Sequence, residues 1–225
     1  MIIAIDGPSG SGKSSTAKAV ANRLGYLFID TGAMFRAVTW AMLDRHLPLT
    51  EENAQVMLAA FQLRMEPGGA HVRVWVGTEE ITDAIRTPEI SANVSAVSSW
   101  GAVRSAMLHL QRQLAADQVE AGRGAVLDGR DIGTVVFPDA DAKFFMVATP
   151  TVRAQRRQAE LVSKGVVQPL EEVMADLVER DRKDSSRAIA PLKQAEDAIV
   201  VDTSAMAFED QVEFILSAIA SRNGQ

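Results

Sequence analysis

The chain contains no cysteine, one tyrosine and three histidines among its 225 residues. The first absence excludes disulfides, thiolate nucleophiles and cysteine-ligated zinc. The histidines, His46, His71 and His109, are scattered without metal-ligand spacing and are expected on the surface. Aromatic residues make up only 5% of the chain, and none is interleaved with a basic stripe. Acidic residues outnumber basic ones 29 to 23, for a net charge of −6. That balance disfavours a nucleic-acid polyanion as partner. No apolar run reaches the length of a membrane span, and a strand that begins at Met1 leaves no room for a cleavable leader. A cytoplasmic protein is therefore expected, with no membrane partner. There is no internal repeat, low-complexity tract or zipper pattern, so the chain is expected to be a monomer.

With 47% apolar and 23% charged residues the composition is that of one globular enzyme. Its most informative segment follows the apolar run Met1–Ile5: Gly7, Pro8, Ser9, Gly10, Ser11, Gly12, Lys13 and Ser14 spell a G-x-x-x-x-G-K-S phosphate-binding loop, with Ser15 just behind it. Such a loop needs a buried strand to launch it and a helix to receive it, so that backbone N–H groups and the helix dipole converge on one anionic cradle. Ala17, Val20, Ala21 and Leu24 have the spacing of one buried helical face and supply that helix. In this geometry the Lys13 ammonium reaches the β- and γ-phosphates of ATP and the Ser14 hydroxyl helps hold Mg²⁺.

Further apolar runs at Tyr26–Ile29, Ala125–Leu127, Phe144–Val147 and Ile199–Val201 read as buried strands. Helical patterns at Val103/Met107/Leu110/Leu114 and Val212/Ile215/Leu216/Ile219 alternate with them. Strands alternating with helices predict an α/β fold, a three-layer α/β/α core around a five-stranded parallel sheet. Between Leu63 and Ile81 the rhythm changes to strand, Pro67-Gly68-Gly69 turn, strand 71–76, turn at Gly77 and a short third strand: an antiparallel meander. An insert of different texture at this point is a candidate acceptor-binding subdomain. The expected division is a core of residues 1–35 and 101–225, interrupted by an inserted subdomain of residues 36–100.

Ligands of open α/β sheets bind outside the carboxyl ends of the strands. Four runs end at or near a carboxylate: Asp6, Asp30, Asp128 and Asp202. Asp202 reads as a turn former. Asp128 opens a segment in which glycines allow close backbone approach and Arg130 offers a bidentate fork for phosphate. Arginine is concentrated locally, at Arg153, Arg156 and Arg157 and again at Arg180, Arg182 and Arg187. In an acidic chain this suggests a grip on small phosphorylated ligands.

Three stretches, Asp30-Thr31-Gly32-Ala33-Met34-Phe35-Arg36, Asp128-Gly129-Arg130-Asp131 with Gly133–Ala140, and Arg187–Leu192, resemble the signature segments of the bacterial cytidylate kinases. The likeness extends over essentially the whole chain, through Ile85–Ile90, Val103-Arg104 and Gln111-Arg112. It implies a P-loop nucleoside monophosphate kinase using Mg·ATP to phosphorylate CMP and dCMP, with a short lid near residues 150–166. It further implies that Arg36 and Arg130 hold the acceptor phosphate, that Thr31, Arg104, Asp131 and Arg187 read the base, and that Ser95, Arg180 and Asp184 contact the pentose. Arg153, Arg156 and Arg157 would then be lid arginines reaching ATP. Thr31 and Phe35 depart from the serine and tyrosine common in that family. The threonine keeps a hydroxyl; the phenylalanine either loses a hydrogen bond or only packs.

The acceptor phosphate, with a second ionisation near pH ~6, is already largely a nucleophilic oxyanion at neutral pH, so no general base is required. Catalysis is then alignment and charge neutralisation by the loop amides, Lys13, Arg36 and Arg130, with Asp128 expected in the catalytic group. Two other readings of the P-loop remain at this point. One is a kinase of a small hydroxyl compound, with Asp30 or Asp128 as base; the other is a nucleotide-dependent switch or ATPase.

Overall fold

The computed structural model describes residues 1–68, 72–163 and 165–223. Gly69 of the expected turn, His71 and Lys164 lie outside these residues. The chain opens with β1 (Ile2–Asp6) and α1 (Lys13–Leu24), then β2 (Leu27–Asp30), α2 (Thr31–Asp44) and α3 (Glu51–Leu58). Three short strands follow, β3 (Leu63–Glu66), β4 (Arg73–Val76) and β5 (Glu79–Glu80), then α4 (Pro88–Val97) and α5 (Gly101–Glu120). The remainder is β6 (Ala125–Gly129), a wide helical turn at Ile132–Val136, β7 (Ala142–Val147), α6 (Pro150–Ser163), α7 (Leu170–Ser186), β8 (Ile199–Asp202) and α8 (Phe208–Asn223).

The main sheet has the order β2-β6-β1-β7-β8 and every pairing in it is parallel. Because side chains alternate across a strand, both faces must be apolar, and they are. Ala4, Ile29, Ala125 and Leu127 face α2, α3 and α5 in one buried cluster. Ile3, Ile5, Val126 and Phe144 face Ala17, Val20 and Ala21 of α1 and Val212, Ile215 and Ile219 of α8 in another. These are the three layers and the two helical faces expected from the apolar spacing. The register sets Asp6 opposite Gly129 and Asp30 opposite Asp128, which brings three of the strand-end carboxylates to one edge. Asp202, exposed at the end of β8, accepts a hydrogen bond from the Ser204 N–H at 2.9 Å, the turn-forming use expected of it. His46 and His109 are exposed, as expected.

The meander forms a separate antiparallel sheet, β3-β4-β5, packed through Val74, Ile81 and Ile85 onto Ala33 and Ala37 of α2. Trp75 is clamped between the guanidinium groups of Arg64 and Arg73, 4.2 and 4.5 Å from its ring centre. Helix α2 runs continuously through residue 36, and α2 and α3 share the apolar cluster of β2 and β6. After β7 the chain forms a helical hairpin: α6 and α7 bury Ala154, Val173 and Leu177 against each other. This hairpin reaches residue 186, well beyond the stretch 150–166 expected as a lid.

Candidate functional site

A cavity of about 840 Å³ lies at the edge where β1, β2 and β6 end. The P-loop forms its floor. Gly7 has φ +151°, and a Cβ there would lie 2.2 Å from the Met146 carbonyl oxygen, so only glycine lets the loop turn this tightly beside β7. Lys13 is buried, and its Nζ donates to the Pro8 carbonyl at 3.3 Å. The Ser14 hydroxyl donates to Asp128 Oδ2, while Asp128 Oδ1 is buried and has no hydrogen-bond partner among the described residues. A hydroxyl beside a carboxylate with one oxygen free is a hard-oxygen donor pair suited to Mg²⁺, which binds through one or two protein oxygens and completes its shell with water and phosphate.

Burial dominates the electrostatics here. It pushes the Asp128 carboxyl up to about 6, with the nearby Asp30 charge adding to the shift and Lys13 opposing it. It pulls Lys13 down to about 7, with Arg130 adding and Asp128 opposing. Around the walls basic side chains outnumber acidic ones ten to five: Lys13, Lys18, Arg36, Arg86, Arg104, Arg130, Arg156, Arg157, Arg180 and Arg187 against Asp30, Asp128, Asp131, Glu160 and Asp184. In a chain of net charge −6 this is a strongly local concentration.

Several of these arginines have unused donors. Arg36 Nε, Arg86 Nε and Nη2, Arg180 Nε and Arg187 Nη2 are buried and make no hydrogen bond among the described residues. Burial lowers Arg86, Arg187 and Arg180, the last to about 10 with Arg130 as the second cause. Buried guanidinium N–H groups without partners are rare because each forfeits hydration, and four such side chains around one cavity describe a receptor for anionic oxygens. Arg130 is held differently: Nε donates to Asp184 Oδ2 at 2.9 Å, Nη1 to the Gly129 carbonyl at 3.1 Å and Nη2 to the Ser9 hydroxyl of the P-loop at 2.8 Å. It thereby joins the loop to α7.

The far end of the cavity contains a buried pair, Arg104 with Asp131, in which Arg104 Nη1 also donates to the Ser98 carbonyl at 3.0 Å. Arg187 reaches the same place, with Nη1 3.5 Å from the Ser98 hydroxyl and Nε donating to the Asp184 carbonyl at 3.2 Å. Thr31 donates its hydroxyl to the Asp128 carbonyl at 2.6 Å. The Phe35 ring lies 5.4 Å from the Arg104 guanidinium carbon, so at this position the ring packs against a cation. A smaller cavity of about 210 Å³ shares Phe35, Arg104 and Asp131 as walls.

Of the residues expected from the sequence, Lys13, Ser14, Ser15, Thr31, Arg36, Ser95, Arg104, Asp128, Arg130, Asp131, Arg156, Arg157, Arg180, Asp184 and Arg187 all line the larger cavity. Arg153 does not. Its guanidinium turns beneath the loop, where Nη1 donates to the Ser9 carbonyl at 3.0 Å and to Asp181, and Nε donates to the Ala148 carbonyl at 3.2 Å. Asp181 in turn accepts from the Ser9 N–H at 3.2 Å, so Arg153 and Asp181 together brace the P-loop backbone from the α6–α7 hairpin. Arg156 is tied to Thr203, donating to its hydroxyl at 2.9 Å and its carbonyl at 2.7 Å, while Arg157 pairs with Glu160 at 2.7 Å.

Arg86 entered the sequence reading only as part of the Ile85–Ile90 likeness and was given no role, although among the described residues its buried Nε and Nη2 make no hydrogen bond and Nη2 stands 3.7 Å from Asp30 Oδ2. The available signal was its position just before Thr87-Pro88, where Thr87 caps α4 by accepting from the Ile90 N–H.

The family model described as cytidylate kinase matches residues 3–221. A cytidylate kinase of Halalkalibacterium halodurans is 44% identical over 223 residues, covering 99% of this chain and 98% of that protein. One from Ligilactobacillus salivarius is 46% identical over 222 residues, covering 98% and 97%. A bifunctional pantoate ligase/cytidylate kinase of a Synechococcus strain is 45% identical over 230 residues, covering 99% of this chain and 42% of that protein. Among solved structures, an uncharacterized protein of Eubacterium ventriosum aligns over 98% of this chain and 99% of its own with a TM-score of 0.52 at 11% identity, a likeness of fold alone. By the family match and by relatives alike over nearly their whole length, the chain belongs to the cytidylate kinase family.

Proposed function

We propose that the protein transfers the γ-phosphoryl group of ATP to CMP or dCMP, giving ADP and the pyrimidine nucleoside diphosphate. Membership of the cytidylate kinase family makes it a nucleoside monophosphate kinase and leaves the hydroxyl-acceptor and switch readings without support. The observation that carries the residue-level reading is the set of arginines with unused donors facing a P-loop across one cavity. Two phosphate groups of different molecules have to meet there, and each brings negative charge.

In this reading Lys13 and the loop amides hold the donor phosphates. Arg36, Arg86 and Arg130 hold the acceptor phosphate, and Arg156 and Arg157 approach the donor from the lid. The free oxygen of Asp128 and the hydroxyl of Ser14 fit Mg²⁺, which when bound neutralises charge between the β- and γ-phosphoryl groups. Arg130 already touches both the P-loop and α7, so a single guanidinium spans the junction between donor and acceptor. Asp131 accepts from the cytosine amine while Arg104 and Arg187 donate to the ring acceptors, and Ser95, Arg180 and Asp184 flank the pentose. A uracil carbonyl would face the Asp131 carboxylate instead, oxygen against oxygen. Residues 36–100 serve as the acceptor-binding insert and the α6–α7 hairpin as the lid. The protein works as a cytoplasmic monomer in pyrimidine nucleotide metabolism.

The test is an initial-rate panel with Mg·ATP and CMP, dCMP, UMP, AMP, shikimate, gluconate or no acceptor. CMP and dCMP are expected to support ADP formation well above every other condition; equal rates without acceptor overturn the proposal. Asp131→Ala is expected to raise the CMP KM and lower the CMP-over-UMP ratio in kcat/KM by about 10-fold or more, the scale of one lost polar reader. An unchanged ratio removes Asp131 from base recognition.

Lys13 makes ATP binding dependent on pH. Held down to about 7 by burial, it is largely neutral at pH ~8, and triphosphate beside it favours the ammonium again. ATP binding at that pH is therefore expected to take up close to one proton, which calorimetry in buffers of different ionisation enthalpy reads directly. Proton release or no exchange contradicts this. Before ATP binds, Lys13 carries fewer protons folded than unfolded between about 7 and its ordinary value of 10.5, so its contribution to stability grows as pH rises through that window.

A further inference from the structure

Asp6 ends β1 one residue before the P-loop, and no part of the proposed mechanism uses it. It is 4% exposed, and among the described residues it makes no ion pair. Its two carboxylate oxygens are spent on consecutive backbone amides of another segment. Oδ1 accepts from the Ile132 N–H at 2.9 Å and Oδ2 from the Gly133 N–H at 2.8 Å. Those amides open the wide turn at Ile132–Val136, in which Val135 and Val136 donate to the Asp131 carbonyl at 2.9 and 3.2 Å and Phe137 donates to the Ile132 carbonyl at 2.7 Å. The two residues immediately before them are Arg130 and Asp131. On the other side of that pair the chain is also clamped, since Ile132 packs so closely on Gly129 that a Cβ there would lie 2.7 Å from its Cδ1.

A carboxylate in this place is costly. Burial pushes Asp6 up to about 7, against the pull of the two amides, and Asp131 adds to the rise. A neutral side chain could fill the space more cheaply, but none of that size offers two acceptors to two parallel N–H groups. What the carboxylate gains is orientation.

We propose that Asp6 is a positioning residue for acceptor recognition: it fixes the turn after Arg130-Asp131, and so sets the phosphate fork and the base reader against the P-loop that starts at the next residue. It touches neither substrate. The donor loop and the acceptor segment are thereby aligned by one side chain on the central strand, before either nucleotide binds. The proposal rests on the assignment of Arg130 and Asp131 to the acceptor.

Asp6→Asn keeps the shape and one acceptor but turns an NH₂ toward the second amide. Assayed at pH ~8, where the native carboxylate is ionised, this variant is expected to raise the CMP KM about tenfold and to lower the CMP-over-UMP ratio in kcat/KM about tenfold, while the ATP KM stays within about twofold. A purely structural role would lower the melting temperature and leave that ratio alone. An unchanged CMP KM and ratio overturn the proposal, whatever happens to stability. A second measurement needs no variant: in the wild-type protein the Ile132 and Gly133 amides are expected to exchange with solvent at least about a hundredfold more slowly than in an open chain, with or without CMP. Exchange at open-chain rates overturns it too. If the wild-type protein phosphorylates CMP and UMP alike, the acceptor reading itself falls, an outcome distinct from a selective wild type with an equally selective Asp6→Asn.

Discussion

Lys13→Ala lowers kcat by about a thousandfold, equivalent to about 4 kcal/mol of transition-state stabilisation, and changes the CMP KM by less than about threefold. The asymmetry follows from where the ammonium lies. It is buried at the floor of the cavity, one residue from the Ser14–Asp128 pair, so it acts on the phosphates that pass through the transfer and not on the acceptor nucleoside. Its charge is destabilised in the folded protein, by burial first and by Arg130 second. Charge that is poorly solvated at rest is available to developing charge on the transferring group, which is how a preorganised site differs from water. Removing the group also removes a buried cation, so the variant is expected to melt within a few degrees of the wild type. Steady-state kinetics beside a thermal unfolding curve check both statements. A folded variant with near-normal turnover removes Lys13 from the chemistry.

Arg130→Ala has the second large effect, and its signature is different. The side chain contributes three hydrogen bonds, to Asp184, Gly129 and Ser9, and links the P-loop to α7 on the cavity side. Truncation takes away an acceptor-phosphate fork and leaves the buried Asp184 carboxylate, among the described residues, with Arg187 at 3.9 Å as its remaining ion-pair partner. We expect kcat/KM for CMP to fall by about a thousandfold or more, with a rise in KM contributing about half of it on a logarithmic scale, because the fork holds the acceptor phosphate in the ground state and holds it more strongly in the transition state. The loss of a buried charge partner is expected to cost about 2–4 kcal/mol in stability, so the melting temperature should fall as well. Arg130→Lys separates the two consequences: it restores a cation for Asp184 without the planar fork, and is expected to recover stability while recovering little of the CMP affinity. Full recovery of both by lysine contradicts a bidentate role.

The core of the fold was legible because its signals were local and redundant. A P-loop between an apolar strand and an apolar helical face identifies the first strand–loop–helix unit, and the spacing of Ala17, Val20, Ala21 and Leu24 matches α1 as it packs on the sheet. The meander was legible from its turn residues and appears as β3-β4-β5. The helices α3, α4 and α7 gave weaker patterns, since each buries only a few residues on a narrow face and spends the others on solvent or the cavity. The positions of Asp128 beside Ser14 and of Asp131 beside Arg104 depend on strand register across more than a hundred residues and on a turn, which no local pattern encodes.

Arg153 illustrates the limit from the other side. Arg153, Arg156 and Arg157 stand at i, i+3 and i+4 on one helical face and look equivalent in the sequence, yet they differ in height along α6 and so in what they meet. Arg153, in the first turn, meets the Ser9 carbonyl and becomes a brace, whereas Arg157, one turn later, borders the cavity. Asp6 was visible as a carboxylate at the end of a strand, but its partners are amides contributed by residues 132 and 133, and only the fold reveals them.

The central claim is that one cavity brings a triphosphate donor and a cytidine monophosphate acceptor together for direct transfer. The most direct measurement is ³¹P NMR of the protein with Mg·ATP and CMP, followed over time. The β-phosphorus resonances of ADP and CDP are expected to grow in parallel, in equal amounts, with no inorganic phosphate. Growth of inorganic phosphate in place of CDP, at a rate that does not depend on CMP, would contradict it.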